Sequence, residues 1–153
     1  MNTPHFQMPK TLILVANASR ARLFTVESPT GPLRELESRS HPASQLRQQD
    51  LTSDRHGRSF QSAGESRSAM SQSVDPKEQE AITFAKELAD LVNHYRGQGE
   101  LERLYLVAPP GFLGLLRKSL KAEVQALVAQ EIDKDYTRLA APDLRSHLPE
   151  FLR

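Results

Sequence analysis

The sequence predicts an α/β domain built on a five-stranded mixed sheet. Short, uninterrupted apolar runs of strand length occur at 11–16 and at 104–107, and helical apolar periodicity follows position 75 and position 110. At 153 residues the chain is long enough for one domain with its own core. We therefore expect residues 1–10 to be a flexible N-terminus and residues 11–153 to be a single domain.

Three strands are predicted before residue 40. Thr11 to Ala16 is apolar throughout except for its first residue, which is typical of a central buried strand. Arg22 to Glu27 follows a short polar turn and predicts a second strand. After the Pro- and Gly-containing breaker at 28–32, Leu33 to Ser38 is strongly charged, as expected of an edge strand. These segments predict an antiparallel meander.

Residues 40–74 have a different composition, with nine Ser, five Gln and few large apolar side chains. A connection this long inside a compact domain is usually functional or disordered. We expect a long polar loop with a basic tip. Three Arg, one Phe and one Gln in this tip provide donors for phosphate groups and a ring for stacking, and a glycine allows close approach. The predicted contact residues are Arg55, Gly57, Arg58, Phe60, Gln61 and Arg67.

The second half predicts alternating helices and strands. Asp75 and Pro76 are a favourable N-cap and first helical residue, and the helix should end near Gly97 and Gly99. Leu104 to Val107 predicts a buried parallel strand. A fifth strand is expected within 132–139, followed by a short helix from residue 142. The apolar stripe of the first helix is Ala81, Ala85, Leu88, Val92 and Tyr95, and that of the second is Phe112, Leu116, Leu120, Val124 and Leu127.

The predicted order is β-β-β-α-β-α-β-α, with a long loop after the third strand. Right-handed crossovers would return the fourth and fifth strands parallel to the first. This is a ribonuclease H-like arrangement. Nucleases of that fold need carboxylates at the ends of the first and fourth strands to hold metal ions, but Asn17 and Pro109 follow those strands here. The sequence thus argues against a nuclease.

Composition limits the remaining classes. The chain has no Cys, which excludes disulfides, thiolate metal sites and Cys nucleophiles. Its formal charge of +1 predicts no general affinity for DNA or for membranes. We expect no cofactor, no metal site and no catalytic residue, and no apolar run is long enough to span a bilayer. A cytoplasmic location is the corresponding expectation. One further anion site is possible at the helix that begins after Pro109, through Gly111 and Arg117.

Four segments of the sequence carry a resemblance to a known family, namely 51–59, 84–88, 108–117 and 131–137. Together they resemble the bacterial host attachment protein family. They occur in order and place the resemblance at about residues 11–148. That family is in turn similar to the middle domain of archaeal and eukaryotic peptide-chain release factors, whose long loop carries Gly-Gly-Gln. Here Gly57 is followed by Arg58, and Gln61 has no glycine pair before it.

The resemblance implies several functions. The first is a non-enzymatic factor, related to translation or stress, that contacts the ribosome or structured RNA through Arg55, Arg58 and Arg67. The alternative is a role in host attachment or surface polysaccharide that acts through protein partners. A third is hydrolysis of peptidyl-tRNA or another ester, using His56 and Asp54. The sequence favours binding over catalysis, and it does not indicate the oligomeric state.

Overall fold

The computed structural model describes residues 8–41 and 76–152. The predicted N-cap Asp75 and most of the predicted loop 40–74 lie outside these residues. The strands are β1 (Thr11–Ala16), β2 (Arg20–Val26), β3 (Leu33–Ser40), β4 (Arg103–Val107) and β5 (Val128–Ile132). The helices are α1 (Pro76–Gly97), α2 (Pro110–Ser119), α3 (Ala122–Gln125) and α4 (Ala141–Ser146).

The five strands form one mixed sheet in the order β3-β2-β1-β4-β5. β1 pairs antiparallel with β2 and parallel with β4, while β2–β3 is antiparallel and β4–β5 parallel. All six residues of β1 are buried, since this apolar strand is central and both of its faces are covered. The predicted ribonuclease H-like arrangement is confirmed.

Helices cover both faces of the sheet, and the alternation of side chains along β1 divides the core in two. Leu12 and Leu14 face α1 and α2, whereas Ile13 and Val15 face α4 and the residues after it. The predicted stripe of α1 packs against the first face, where Ala85, Leu88 and Val92 are buried and Ala81 and Tyr95 partly buried. The second face is closed by Leu144, Leu148 and Leu152.

The C-terminal residues are tied to the turn between β2 and β3. Arg145 donates to the carbonyl oxygens of Gly31 at 2.8 Å and Pro29 at 3.1 Å, and also to those of Pro149 and Glu150. The backbone N–H of Leu152 donates to Pro29 as well, at 2.8 Å. One guanidinium thus satisfies several carbonyls that a turn would otherwise leave to solvent.

Two predicted elements are placed differently in the structure. The second apolar stripe was predicted as one helix, but α2 ends at Ser119 and Leu120 has an extended backbone with φ −76° and ψ 143°. The stripe is still mostly buried, because α3 resumes after this break and returns Val124 to the core. The fifth strand occupies Val128–Ile132 and not 132–139. Its middle residues are exposed at the sheet edge, so they lack the apolar pattern of an interior strand.

A β-bulge in β3 sends two nearby carboxylates to opposite faces of the sheet. Leu23 pairs with Glu37 and Phe24 with Glu35, which leaves Leu36 as the extra residue. Glu37 consequently lies on the α1 face, where the hydroxyl of Tyr95 donates to its Oε2 at 2.6 Å. Glu35 lies on the other face, which becomes important at the candidate site.

The Tyr95–Glu37 bond predicts a pH dependence of stability. Burial and the bond to Glu37 raise the pKa of Tyr95 to about 12, and the bond from Tyr95 lowers the pKa of Glu37. The contribution of Tyr95 to the free energy of unfolding is therefore complete below its ordinary pKa of 10.0 and is lost as pH rises toward 12. The Glu37 contribution is complete above its ordinary pKa of 4.5 and is lost as pH falls through the lowered value.

Tyr95→Phe is expected to reduce the free energy of unfolding by about 1 kcal/mol at pH 8. Urea unfolding at several pH values measures the difference from wild type, which should shrink above pH 10, where the tyrosine begins to ionise in the unfolded chain. A difference that stays constant to pH 11 would contradict the assignment.

Candidate functional site

Several polar side chains meet at the carboxyl end of the sheet, which we define as the end where β1, β4 and β5 finish. Because β2 runs antiparallel to β1, its first residue Arg20 lies at this end, and so does Ser40 at the end of β3. In open α/β sheets, ligands usually bind outside the carboxyl ends of the strands. This end is therefore the first place to look for a site.

Asn17 organises the end of β1. Its Oδ1 accepts hydrogen bonds from the backbone N–H groups of Ser19 and Arg20 at 2.8 and 2.9 Å, which fixes the turn into β2. Its Nδ2 donates to Asp135 at 3.0 Å and to Thr137 at 3.2 Å. A single amide thus joins the β1–β2 turn to the segment that follows β5.

Asp135 is a carboxylate whose oxygens are already in use. It accepts from Asn17, and its Oδ1 also accepts from the backbone N–H and the hydroxyl of Thr137, at 3.1 and 2.7 Å. Burial alone would raise the pKa of Asp135, but these hydrogen bonds and the charge of Arg138 hold the pKa below its ordinary value. Asp135 is therefore an ionised structural anchor at neutral pH and not a free base.

Arg22 braces the same segment from the sheet. Its Nε and Nη2 donate to the two oxygens of Glu35 at 3.3 and 3.2 Å. Its Nη1 donates to the backbone carbonyls of Thr137 and Leu139, and its guanidinium lies 4.9 Å from the ring centre of Phe24. The side chain is only 19% exposed. The donors of Arg22 are thus committed to the protein itself.

A cleft of about 540 Å³ lies between the β2–β3 ladder and the segment after β5. We call it the arginine cleft. Four Arg and one Glu give its lining a formal charge of +3, although the whole chain carries only +1. The lining residues are Arg20, Ala21, Arg22, Glu35, Ser38, Arg39, Ser40, Thr137 and Arg138.

The described residues on either side of segment 42–75 are His41 and Pro76. His41 is buried, its Nε2 lies 2.7 Å from Oε1 of Glu80 in α1, and its ring stacks on Phe84 at 5.2 Å. Its backbone N–H donates to the backbone carbonyl oxygen of Ser19 at 2.9 Å. α1 begins at Pro76, one turn before Glu80, so the described residues on either side of segment 42–75 lie at the carboxyl end of the sheet.

The predicted loop contacts lie outside the described residues, namely Arg55, Gly57, Arg58, Phe60, Gln61 and Arg67. The structure does not bring the other predicted pair, Gly111 and Arg117, together. Gly111 is in the first turn of α2 and Arg117 in its last, about 9 Å apart along the axis. Arg117 donates to Glu131 of β5, with Nε 3.0 Å from Oε2, and this bond lowers the pKa of Glu131.

Sequence patterns did not identify the arginine cleft. The hairpin register places Arg20 opposite Ser40, and a correct alignment of the two strands could have shown that pair. Arg138, however, reaches the cleft through a fold that joins residues more than a hundred positions apart. No local spacing signals such a contact.

Two kinds of feature are absent from the described part of the chain. Residues 8–41 and 76–152 contain no group of three or more His, Asp or Glu placed to hold a metal ion. None of the helices there combines the length and apolar character needed to cross a membrane.

The fold and its carboxyl-end cleft define a ribonuclease H-like α/β protein. The chain belongs to the family described as "Protein required for attachment to host cells", which matches residues 12–148. No curated protein matches the sequence.

Solved structures show weaker similarity. An archaeal translation termination factor, aRF1, shares 11% identity at a TM-score of 0.41, over 92% of this chain and 35% of that one. Two Ppx/GppA family structures from Aquifex aeolicus each share 14% identity with this chain at a TM-score of 0.38. The first match covers 82% of this chain and 36% of the other protein. The second covers 80% of this chain and 34% of the other protein. This chain spans about a third of the length of each, and the fold assignment rests on the strand order.

Proposed function

We propose that this protein contributes to attachment to host cells by binding a protein partner through the carboxyl end of its sheet and segment 42–75. The observation that carries the proposal is the family match over residues 12–148. The geometry supports it, because the described residues that flank segment 42–75 lie at the same end of the sheet as the arginine cleft, whose lining is positively charged. Arg55, Arg58 and Arg67 in that segment supply further donors for acidic groups on a partner.

Complementation of a deletion strain tests this function. The triple variant Arg55→Gln, Arg58→Gln, Arg67→Gln is expected to reduce attachment at least severalfold relative to wild type, because charge-assisted contacts are lost. Arg34→Gln is the matched control, since Arg34 is an exposed arginine paired with Glu27 at the other end of the sheet. Normal attachment by the deletion strain, or by the triple variant at equal protein level, would refute the proposal. Fractionation of the same cells separates direct contact at the surface from an indirect effect.

A second candidate function is association with the ribosome or structured RNA. It is favoured by the positive lining of the arginine cleft, which includes Arg20 and Arg138. The sequence of segment 42–75 adds the further donors Arg55, Arg58 and Arg67. Phosphate contacts of this kind weaken steeply with salt. Co-sedimentation with ribosomes at low salt, lost at high salt and in the triple variant, is the expected result. Sedimentation equal to that of free protein at low salt would exclude this function.

A further inference from the structure

We propose that the arginine cleft binds the phosphate group of a small phosphate monoester. This site is distinct from the predicted contacts in segment 42–75, and it does not depend on a role in attachment. The argument rests on which charged groups of the cleft are already paired and which are not.

The carboxylates around the cleft are committed to other partners. Glu35 uses both of its oxygens for Arg22. Asp135, which lies close enough to Arg138 for the charges to interact, accepts its hydrogen bonds from Asn17 and Thr137. Neither carboxylate therefore closes the cleft by pairing with Arg20 or Arg138.

Two of the cleft's cations remain available. Within residues 8–41 and 76–152, Arg20 and Arg138 form no ion pair and their side chains donate no hydrogen bond, whereas Arg22 pairs with Glu35 and Arg39 with Glu37. Asp135 lies close enough to Arg138 for their charges to interact, but it leaves the donors of both arginines unused. Two such guanidinium groups suit a phosphate monoester, which carries about −1.5 to −2 at pH 7. A carboxylate carries a single negative charge, so the two arginines attract it less strongly than a phosphate monoester.

Hydroxyl groups lie on the same face as Arg20. Ser40 is directly opposite Arg20 in the β2–β3 register and Ser38 is opposite Arg22, and residues paired in this way share a face of the sheet. Neither hydroxyl is hydrogen-bonded to another described residue. Arg20, Arg138 and the two serines thus offer more donors than a planar carboxylate can accept, while the three terminal oxygens of a phosphate can use them.

The size of the cleft sets the class of ligand. A volume of about 540 Å³ is within the range of about 300–1,000 Å³ usual for small-molecule sites. The cleft can therefore take a sugar phosphate or a nucleoside monophosphate as well as inorganic phosphate. The bracing of residues 137–139 by Arg22 holds the wall that carries Arg138 in place before a ligand arrives.

Titration of the full chain with inorganic phosphate, at constant ionic strength, tests the site by ¹⁵N NMR. Shift changes are expected at the backbone amides of Arg20, Ser40 and Arg138. Arg20→Gln and Arg138→Gln should each weaken binding about tenfold, since each removes hydrogen bonds to a charged group. Arg34→Gln should bind as wild type does. Arg20→Lys should recover only part of the affinity, because an ammonium lacks the planar fork of a guanidinium.

Parallel titrations with a hexose 6-phosphate and a nucleoside 5′-monophosphate identify the source of the phosphate, and tighter binding of either ester supports the proposal. Equal binding of acetate and phosphate overturns it, and so does unchanged affinity in both arginine variants. Because the variants change exposed side chains, circular dichroism should show a native fold in each. Attachment assays with the segment 42–75 variant are independent of this result, so either proposal can fail without the other.

Discussion

Phe84→Ala is expected to lower the free energy of unfolding by about 3–5 kcal/mol. Phe84 is fully buried in α1, where its ring packs 6.0 Å from that of Phe112 in α2 and 5.2 Å from that of His41. Truncation removes apolar contacts with the sheet and leaves a cavity that α1 and α2 together cannot close, because each is held by its other buried residues.

Urea denaturation followed by circular dichroism measures this loss. Phe151→Ala is the matched control, because Phe151 is 58% exposed and should change stability by less than about 0.5 kcal/mol. Phe84→Leu should cost less than Phe84→Ala, since it keeps much of the apolar volume. If Phe84→Ala and Phe151→Ala cost the same, the placement of α1 against the sheet is wrong.

The same ring supports the start of segment 42–75. His41 stacks on Phe84 and bonds to Glu80, so two contacts hold the last described residue before that segment against α1. A double-mutant cycle between His41→Ala and Phe84→Ala is expected to give a coupling of about 0.5–1.5 kcal/mol. Additive losses would mean that the two rings act independently.

The interior of the fold was predictable because its elements have one-sided or fully buried patterns. β1 is apolar from its second residue onward, and the stripe of α1 repeats at helical spacing up to Tyr95. Such patterns indicate which side chains are buried, and the buried faces of the sheet and of its helices pack against one another. The antiparallel pairing of the first three strands then followed from the meander, and the parallel direction of β1, β4 and β5 from right-handed crossovers.

The periphery was not predictable for the opposite reason. β5 is an edge strand whose Ala129, Gln130 and Glu131 do not show the apolar pattern of an interior strand. The sequence therefore predicts the fifth strand too far along the chain, within 132–139. The break at Leu120 keeps the helical spacing of the stripe, because the extended residue and the short α3 together return Val124 to the core. Periodicity alone cannot distinguish such an interrupted helix from a continuous one.

The candidate site was the least predictable part. The net charge of the chain, +1, does not reveal the positive charge of the cleft, because acidic residues elsewhere balance its arginines. Arg20 and Arg138 are brought together by tertiary contacts of Asn17 and Arg22 with the segment after β5, which has no recurring sequence pattern. Only the contacts themselves show which arginines are already paired.

Replacing Arg22 with methionine is expected to cost about 3 kcal/mol of stability. Methionine keeps the apolar stem but leaves Glu35 and the carbonyls of Thr137 and Leu139 without their donor. Hydrogen bonds to charged groups contribute about 1.5–3 kcal/mol, and acceptors left unpaired in a partly buried position add to the loss. Urea unfolding of the full chain measures it.

Two comparison variants separate this bracing from ordinary surface pairing. Arg34→Met removes an arginine whose ion pair with Glu27 is well exposed, so it should cost no more than about 1 kcal/mol. Arg22→Lys keeps the charge but cannot reach Glu35 and two carbonyls at once, so it should recover only part of the loss. Equal costs for Arg22→Met and Arg34→Met would contradict the bracing role.

Hydrogen exchange of the backbone amides shows which part of the molecule Arg22→Met destabilises. If Arg22 holds the wall of the arginine cleft, Arg22→Met should speed exchange at residues 136–139 before it affects the core amides of β1, because local opening then becomes easier than global unfolding. Phosphate affinity should fall as well, although Arg22 has no free donor, because Arg138 is carried by that wall. Unchanged exchange at 136–139 with a lowered global stability would place the energy of Arg22 in its pair with Glu35 and its packing on Phe24.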